Sequence, residues 1–583
     1  MIFLSAQPDE FYFSWQLELQ LFNFSRLGIQ KENIHVLIGY QPVTGLSATF
    51  QALIRAQDQR ACFFCYPDNR TDAAYPSSIR PHIIRQHLET LPQLQQEAIF
   101  YHDADIIFRE QPDWEQLLPG DTWYVADTRY YTSTQFIRDR AGQAIFSGMC
   151  RLAGIGEQQA MAGDDHCGGA QYLLKNTTPL FWEKVEAHSA AIYGYLREEN
   201  DRQAEQLLSK GEKKSTWKGF DPWFADMWAL YWNALTDNRT VRISDELDFC
   251  WATSPIGDWE TKKILHYTGR VAPGDRRYFR KVNFYRFPPW FDKGIRKITP
   301  DNCSYPLLQL IAAYITQKER ISLSDTLLLV PVTDHGPDSF ANLLTFLHYI
   351  DYYLDTTIIV AEVGDTAAID ISLLPSSCKH VLLNNNTVAP QHAAIANHLL
   401  RQYHTPVMAL CDPNVIPDIA SMADACHQVA SGAADVAFPH NGHLLQADSV
   451  FSYLFDHFSD PQLLLTHQGK FISTTQRYAG GCLFLNRDKW LAAGGENEYI
   501  SHARLAAQER LKRFGLLEYR ISHSDTPCFH LAPGATIENK TRVADLELCL
   551  YTSNLRRPVL EQYIQSWPWY YFSQQTPAYD FNH

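Results

Sequence analysis

The sequence predicts an α/β protein made of two domains of similar architecture in tandem. Three observations carry this. Short β-branched and aromatic runs alternate with stretches of helical apolar spacing, the pattern of a parallel sheet. The alternation occurs twice, on either side of a Pro-containing, locally basic stretch from about Pro288 to Ser324. The chain has 583 residues, and at about 100 to 200 residues per domain it holds two to four domains.

The elements follow in order. Ile2-Phe-Leu-Ser5 is a first short strand, and Phe11 to Leu27 carries apolar residues at helical spacing. Ile34 to Ile38 and Ala61 to Tyr66 are further strands, Pro81 to Thr90 a helix, and Ala98 to Tyr101 a fourth strand that ends at His102-Asp-Ala-Asp105. The junction follows, with Pro288-Pro289, Lys293, Arg296, Lys297 and Thr299-Pro300-Asp301-Asn302. A second series of strands then reads Thr326 to Pro331, Thr356 to Ala361, His380 to Leu383 and Val407 to Leu410, the last followed by Cys411-Asp-Pro-Asn414. The expected boundaries are residues 1–290 and 326–583, with 291–325 as linker. The aromatic tail Trp567-Pro-Trp-Tyr-Tyr-Phe572 is too short for a domain and is expected to pack on the second one.

Composition removes several classes. Apolar residues make up 45% and charged residues 20%, so the chain is globular rather than disordered. Apolar runs stop well short of the roughly 20 residues of a membrane-spanning helix. The net charge of −15 without a long basic run disfavours nucleic acid. The N-terminus lacks the charged region of a signal peptide, so a cytoplasmic protein is expected. The twelve Cys are scattered, and only Cys62 and Cys65 have CxxC spacing, inside a strand. No second pair completes a zinc site, which leaves buried, reduced thiols. Sequons at Asn69 and Asn176 are chance occurrences in that setting.

The chemistry concentrates at strand ends, where ligands collect in parallel α/β sheets. Asp103 and Asp105, two apart after the fourth strand, offer hard oxygen ligands for Mg²⁺ or Mn²⁺. Alone, an Asp-x-Asp is better explained by a solvated turn. Ile264-Leu-His266 ends another apolar strand and offers a third ligand. Tyr101-His-Asp-Ala-Asp-Ile-Ile-Phe108 together with Ile264-Leu-His-Tyr-Thr-Gly269 resembles the nucleotide-sugar glycosyltransferases of GT-A fold, glycogenin-like and peptidyl-serine or hydroxyproline transferases among them. Cys167-Gly-Gly-Ala-Gln-Tyr-Leu-Leu-Lys175 resembles the family's Gly-containing strand at the sugar pocket, and Phe224 to Leu230 the helix after it.

The resemblance covers about residues 1 to 285. It implies a GT-A domain in which Asp103, Asp105 and His266 hold Mn²⁺ or Mg²⁺ on the diphosphate of a UDP-sugar, with Asp103 also able to hold the ribose. It further implies that Asp226 contacts sugar hydroxyls or steadies the oxocarbenium-like centre, that Gln171 faces the sugar, and that the outcome is retaining. Arg80, at a helix start, is a candidate for the phosphates; a surface salt bridge is the alternative. Ala6 and Gln7, after the first strand, are candidates for the nucleotide. Gly168 and Gly169 fit a strand that a ligand approaches closely. Asp164-Asp165 is a polar cluster for acceptor or sugar, or a solvated loop. Trp223, Trp228 and Trp251 are either a sugar-stacking wall or core.

Residues 326 to about 540 resemble the inverting, processive-type branch of the same fold, through Ala479 to Gly495 and Leu511 to Leu516. Two departures stand out. The metal motif reads Asp412-Pro-Asn414, and the stretch expected to carry a Glu-Asp base reads Arg504 to Arg510, where Glu509 serves only if the register slips. Without a base, inverting transfer loses about 100- to 10,000-fold. A degenerate second domain is therefore expected, with His530 as a relic ligand. The whole reads as a metal-dependent glycosyltransferase acting on a peptide, protein or glycan acceptor. The alternatives are a bifunctional enzyme with two active domains building a surface glycan, a carbohydrate-binding scaffold, and a haloacid-dehalogenase-type phosphatase with Asp103 as nucleophile and Asp164-Asp165 as its late acidic motif.

Overall fold

The protein is described by a computed structural model covering all residues except 210–218, 269–270, 287, 293–294, 296, 319, 387, 390, 476–477, 532–542 and 571–583. Gly269, Lys293, Arg296 and Phe572, used above, lie outside the described residues. The chain forms two compact units, Met1–Gln317 and Lys318–His583. The division falls inside the stretch expected as a linker, because the helix Ser304–Gln317 is apolar on one side and packs on the first unit. Its Tyr314 donates to Glu18 at 2.7 Å and meets the Phe22 ring edge-on.

The first unit is built on β1 (Ile2–Pro8), β2 (Ile34–Tyr40), β3 (Cys62–Pro67), β4 (Ala98–His102), β5 (Ile106–Phe108), β6 (Trp123–Asp127), β7 (Gly168–Lys175), β8 (Val241–Ile243), β9 (Phe249–Trp251) and β10 (Ile264–His266). The main sheet has the order β3-β2-β1-β4-β7-β6-β8, and β5-β10-β9 forms a small second sheet. β1 runs parallel to β2 and β4, whereas β7 is antiparallel to β4 and β6. β1 and β2 are apolar nearly throughout because helices cover both faces, as central parallel strands require. The helices Phe11–Arg26 and Ile79–Thr90 do so, each through its own buried cluster. Strand order reverses between β1 and β4, which opens a crevice at their carboxyl ends.

The second unit repeats this plan with β11 (Ile321–Val332), β12 (Leu354–Val363), β13 (Cys378–Leu383), β14 (Val407–Cys411), β15 (Val415–Ile416), β16 (Val436–Phe438), β17 (Leu444–Gln446), β18 (Ile472–Thr475), β19 (Cys482–Asn486), β20 (Ile521–His523) and β21 (Cys528–His530). Its main sheet is β13-β12-β11-β14-β19-β16-β20, again with one antiparallel strand (β19) beside the fourth, and its small sheet is β15-β21-β17-β18. The fold is thus α/β with two tandem units of one strand order. The aromatic tail joins the second core as far as it is described: Trp567 is fully buried under the Arg513 guanidinium, and Trp569 Nε1 donates to the Gly494 carbonyl at 3.0 Å. All twelve cysteines are free thiols. Among the described residues no helix is long and apolar enough to cross a membrane.

Candidate functional site

The site forms where β4 stops. Asp103, Ala104 and Asp105 bridge β4 to β5, and β5 pairs antiparallel with β10 so that His266 lies opposite Ile106. Tyr267 N donates to the Asp105 carbonyl at 3.1 Å and extends that ladder by one bond. The register therefore delivers the imidazole to the carboxylates: His266 Nε2 lies 3.3 Å from Asp105 Oδ1 and 3.7 Å from Asp103 Oδ2. One donor atom from each of the three side chains lies within 4.8 Å of the others, the only such group among the described residues. The donor set, two carboxylate oxygens and one imidazole nitrogen, suits Mn²⁺ and, less closely, Mg²⁺. The Trp251 indole stacks on the imidazole (5.4 Å, 29°) and orients it.

Two cations sit against the carboxylates. Arg80, in the first turn of the helix Ile79–Thr90, ion-pairs with Asp103 and reaches Asp226 at 3.6 Å. Arg80 is thus an ion-pairing residue within the cluster, its side chain 20% exposed. Lys281 ion-pairs with Asp105. Its turn, Lys281–Phe284, is held by Trp15 Nε1 donating to the Phe284 carbonyl at 2.9 Å. Burial alone would raise the Asp105 carboxyl, but Lys281 and then His266 outweigh it and hold it well below the usual carboxylate range. Asp226 goes the other way: burial raises it, and Arg80 offsets only part. Tyr75 donates to Asp226 at 2.9 Å and fixes its rotamer. Three carboxylates (Asp103, Asp105, Asp226) face two fixed cations (Arg80, Lys281), so the cluster keeps one net negative charge.

The remaining expected residues divide. Gln171 is fully buried opposite His102, and neither of its amide atoms has a hydrogen-bond partner. A buried amide left so is costly unless a ligand completes it. Ala6 and Gln7 lie within β1 rather than after it, both buried, and Gln7 Nε2 donates to the Leu37 carbonyl at 2.6 Å. Gly168 and Gly169 are small for an internal reason. A Cβ on Gly168 would fall on the Ala126 carbonyl, and one on Gly169 on Met227 and Tyr172, so packing within the protein already requires glycine at both positions. Asp164 caps the helix Thr134–Ala141, accepting from Thr134 N at 2.8 Å and Thr134 Oγ1 at 2.7 Å, which leaves no late acidic motif for a phosphatase at that residue. Trp228 is core, 1% exposed, with Nε1 donating to the Thr132 carbonyl; Trp223 and Trp251 are not buried. Lys281 and Tyr75 are additions that no local motif announces.

The second unit places its residues in the same frame. β15 pairs antiparallel with β21, so that His530 lies opposite Val415 as His266 lies opposite Ile106. Asp412 holds the place of Asp103, and Asn414 that of Asp105. Asn414 Nδ2 donates to Asp412 Oδ1 at 3.1 Å, and Asn342 Nδ2 donates to Asn414 Oδ1 at 3.0 Å. An amide network thus stands where the first unit gathers ligands. Glu509 is buried and paired with Arg513 one turn away in the same helix, Nε to Oε1 at 3.0 Å.

No family model matches the chain, and no curated protein matches it. Glycosyltransferases are among the solved structures to which it is similar. The bifunctional glycosyltransferase WbbM, apo form, is 11% identical with a TM-score of 0.31, over 54% of this chain and 49% of that one, so that this chain spans about half of its length. Galactosyltransferase LgtC, in complex with donor and acceptor sugar analogues, is 11% identical with a TM-score of 0.27, over 55% of this chain and 98% of that one. The apo glycosyltransferase GlyE of Streptococcus pneumoniae TIGR4 is 13% identical with a TM-score of 0.23, over 69% and 82%.

Proposed function

We propose that the first unit is a metal-dependent glycosyltransferase that moves a sugar from a UDP-sugar to a peptide, protein or glycan acceptor, with retention at the anomeric carbon. The observation that carries the reading is the convergence of Asp103, Asp105 and His266 beside Arg80 and Lys281 at the mouth of the β1–β4 crevice. With one net negative charge the cluster repels a diphosphate; with a divalent cation it attracts one. Asp105 and His266, with Asp103, would hold Mn²⁺ (or Mg²⁺), and the bound ion supplies charge neutralisation to a departing nucleoside diphosphate. Arg80 and Lys281 are placed to turn from carboxylate to phosphate oxygens and add fixed positive charge there. Gln171 offers its unpartnered carbonyl oxygen to the sugar. Asp226, held by Tyr75 and Arg80, receives sugar hydroxyls or steadies positive charge at the anomeric centre. Ala6 and Gln7 contribute to the nucleotide site through β1, and Gly168 and Gly169 to the sugar side of the donor site through the backbone of β7. The second unit, with Asn414 in place of a ligand, is proposed to be inactive in transfer.

A panel of UDP-sugars, scored for hydrolysis with Mn²⁺, with Mg²⁺ and with chelator, tests this. Turnover of at least one donor is expected, falling more than about 100-fold on chelation or in Asp105→Ala. Turnover that survives both refutes the reading.

A further inference from the structure

Aromatic side chains line one flank of the cluster, and two of them are unusually open to solvent. Tyr130 is 61% exposed and Trp223 50%. Trp251, stacked on His266, donates from Nε1 to Tyr130 Oη at 3.0 Å. The Tyr130 ring meets Tyr131 at 4.7 Å, Tyr131 meets Phe224 at 5.0 Å, and Tyr131 lies within electrostatic reach of both Asp103 and Asp226. Trp223 stands edge-on to Tyr75 (6.4 Å, 85°), the residue that fixes Asp226. The band therefore runs from the imidazole to the carboxylate assigned to the sugar. Two ion pairs rim it near Tyr130: Asp127 with Arg129 at 2.7 Å and Asp248 with Lys262 at 3.1 Å.

Exposed aromatic faces beside charged groups have a specific chemical complement. A pyranose has an apolar C–H face that covers an aromatic ring and a rim of hydroxyls that bonds carboxylates and cations around it. A Ser or Thr side chain on a peptide offers one hydroxyl and no such face. We propose that Tyr130, Trp251 and Trp223 form the acceptor-side subsite and that the acceptor is a saccharide, seated by a pyranose ring on these faces. The inference rests on the transferase reading of the adjacent cluster, yet binding of the saccharide itself requires neither metal nor donor.

The test uses the full chain in chelator and follows tryptophan fluorescence. The ligands are the methyl α- and β-pyranosides of glucose, galactose, mannose and N-acetylglucosamine, with lactose, cellobiose, Ser- and Thr-containing peptides, and UMP. At least one saccharide binds saturably, and its Kd rises about tenfold or more in Tyr130→Ala and in Trp223→Ala. Tyr130→Phe, which keeps the ring, restores most of the affinity, so loss in the Ala variant is not misfolding. With an active donor and that saccharide, the ratio of transfer to hydrolysis falls by the same factor in the Ala variants. Binding by no saccharide, equal binding by wild type and Ala variants, or transfer to the peptides alone overturns the proposal. So does UMP binding that is lost in Tyr130→Ala, which would give these rings to the donor base. Saccharide binding without any donor hydrolysis overturns the transferase reading and leaves the subsite; hydrolysis without saccharide binding does the reverse.

Discussion

Lys281→Met tests whether the cluster is built around a replaceable positive charge. Lys281 and Asp105 are paired with side chains only 16% and 5% exposed. Met keeps the aliphatic stem and removes the charge. Removing one partner of a buried pair costs about 3–5 kcal/mol, because the other charge stays in place. His266 Nε2, 3.3 Å from Asp105, still supports the carboxylate, which argues for the lower end. The pH dependence has a definite sign. In the wild type Asp105 is held below its ordinary value, so its contribution is complete above about pH 4 and is lost as pH falls toward the folded value. Without Lys281 the raising effect of burial is opposed by less, and the carboxyl takes up a proton more readily. The stability gap between wild type and variant therefore narrows on acidification from about pH 7 to about pH 5. Added Mn²⁺ narrows it too, because the ion must displace Lys281 from Asp105 in the wild type but not in the variant, and at saturation the gap falls by RT ln of the ratio of the two Kd values. Urea melts at both pH values, in chelator and in MnCl₂, measure all of this. A variant as stable as wild type in chelator, a gap that widens on acidification, or Mn²⁺ that stabilises neither protein refutes the reasoning.

Asn414→Asp places a carboxylate one residue before Val415, the residue opposite His530, and is expected to raise Mn²⁺ stoichiometry from one to two per chain by paramagnetic titration; two ions on the wild type would contradict the assignment of Asn414 as the position that lacks a ligand. Gly168→Ala drives a methyl group onto the Ala126 carbonyl and should lower stability by about 1–3 kcal/mol in a thermal melt, with no rescue by metal. Glu509→Gln leaves the fully buried Arg513 without its carboxylate and should destabilise by about 3 kcal/mol, while sugar transfer per folded molecule is unchanged. A loss of transfer there without a loss of stability would reinstate Glu509 as a base.

The candidate ligands were readable in the sequence because each sits one to four residues past an apolar run: Ala98 to Tyr101 for the aspartates, Ile264-Leu265 for His266. Strand ends in a parallel sheet face the crevice, so position along the run implied position in the molecule. Lys281 had no such marker. It closes a basic segment with Arg276, Arg277 and Arg280, and only tertiary structure sorts them: Arg276 faces Asp292, Arg277 pairs with Asp275, Arg280 Nε donates to the Val271 carbonyl, and Lys281 alone of these reaches Asp105. Trp223 and Trp228 show the same limit within one segment. Five residues apart, they differ in exposure because Trp223 precedes the helix Ala225–Thr236 and Trp228 points from it into the core. Asp164 shows the limit again, because a carboxylate that accepts from a helix N-terminus looks like any other loop carboxylate in sequence.

The two units together separate what the frame requires from what the chemistry requires. β5 and β15 start at equivalent places, Ile106 and Val415, each opposite a histidine, and both are fully buried. Those contacts belong to the sheets and persist in both units. What differs is a single atom type at one side chain: an oxygen on Asp105, an amide nitrogen on Asn414. The oxygen leaves a charge that Lys281 must balance and that a cation can share. The nitrogen donates to Asp412 Oδ1, and the Asn414 carbonyl oxygen accepts from Asn342, so this side chain is engaged by neutral partners on both atoms. An amide in place of a carboxylate thus removes one anionic oxygen from the second cluster while the histidine and the strand register stay intact.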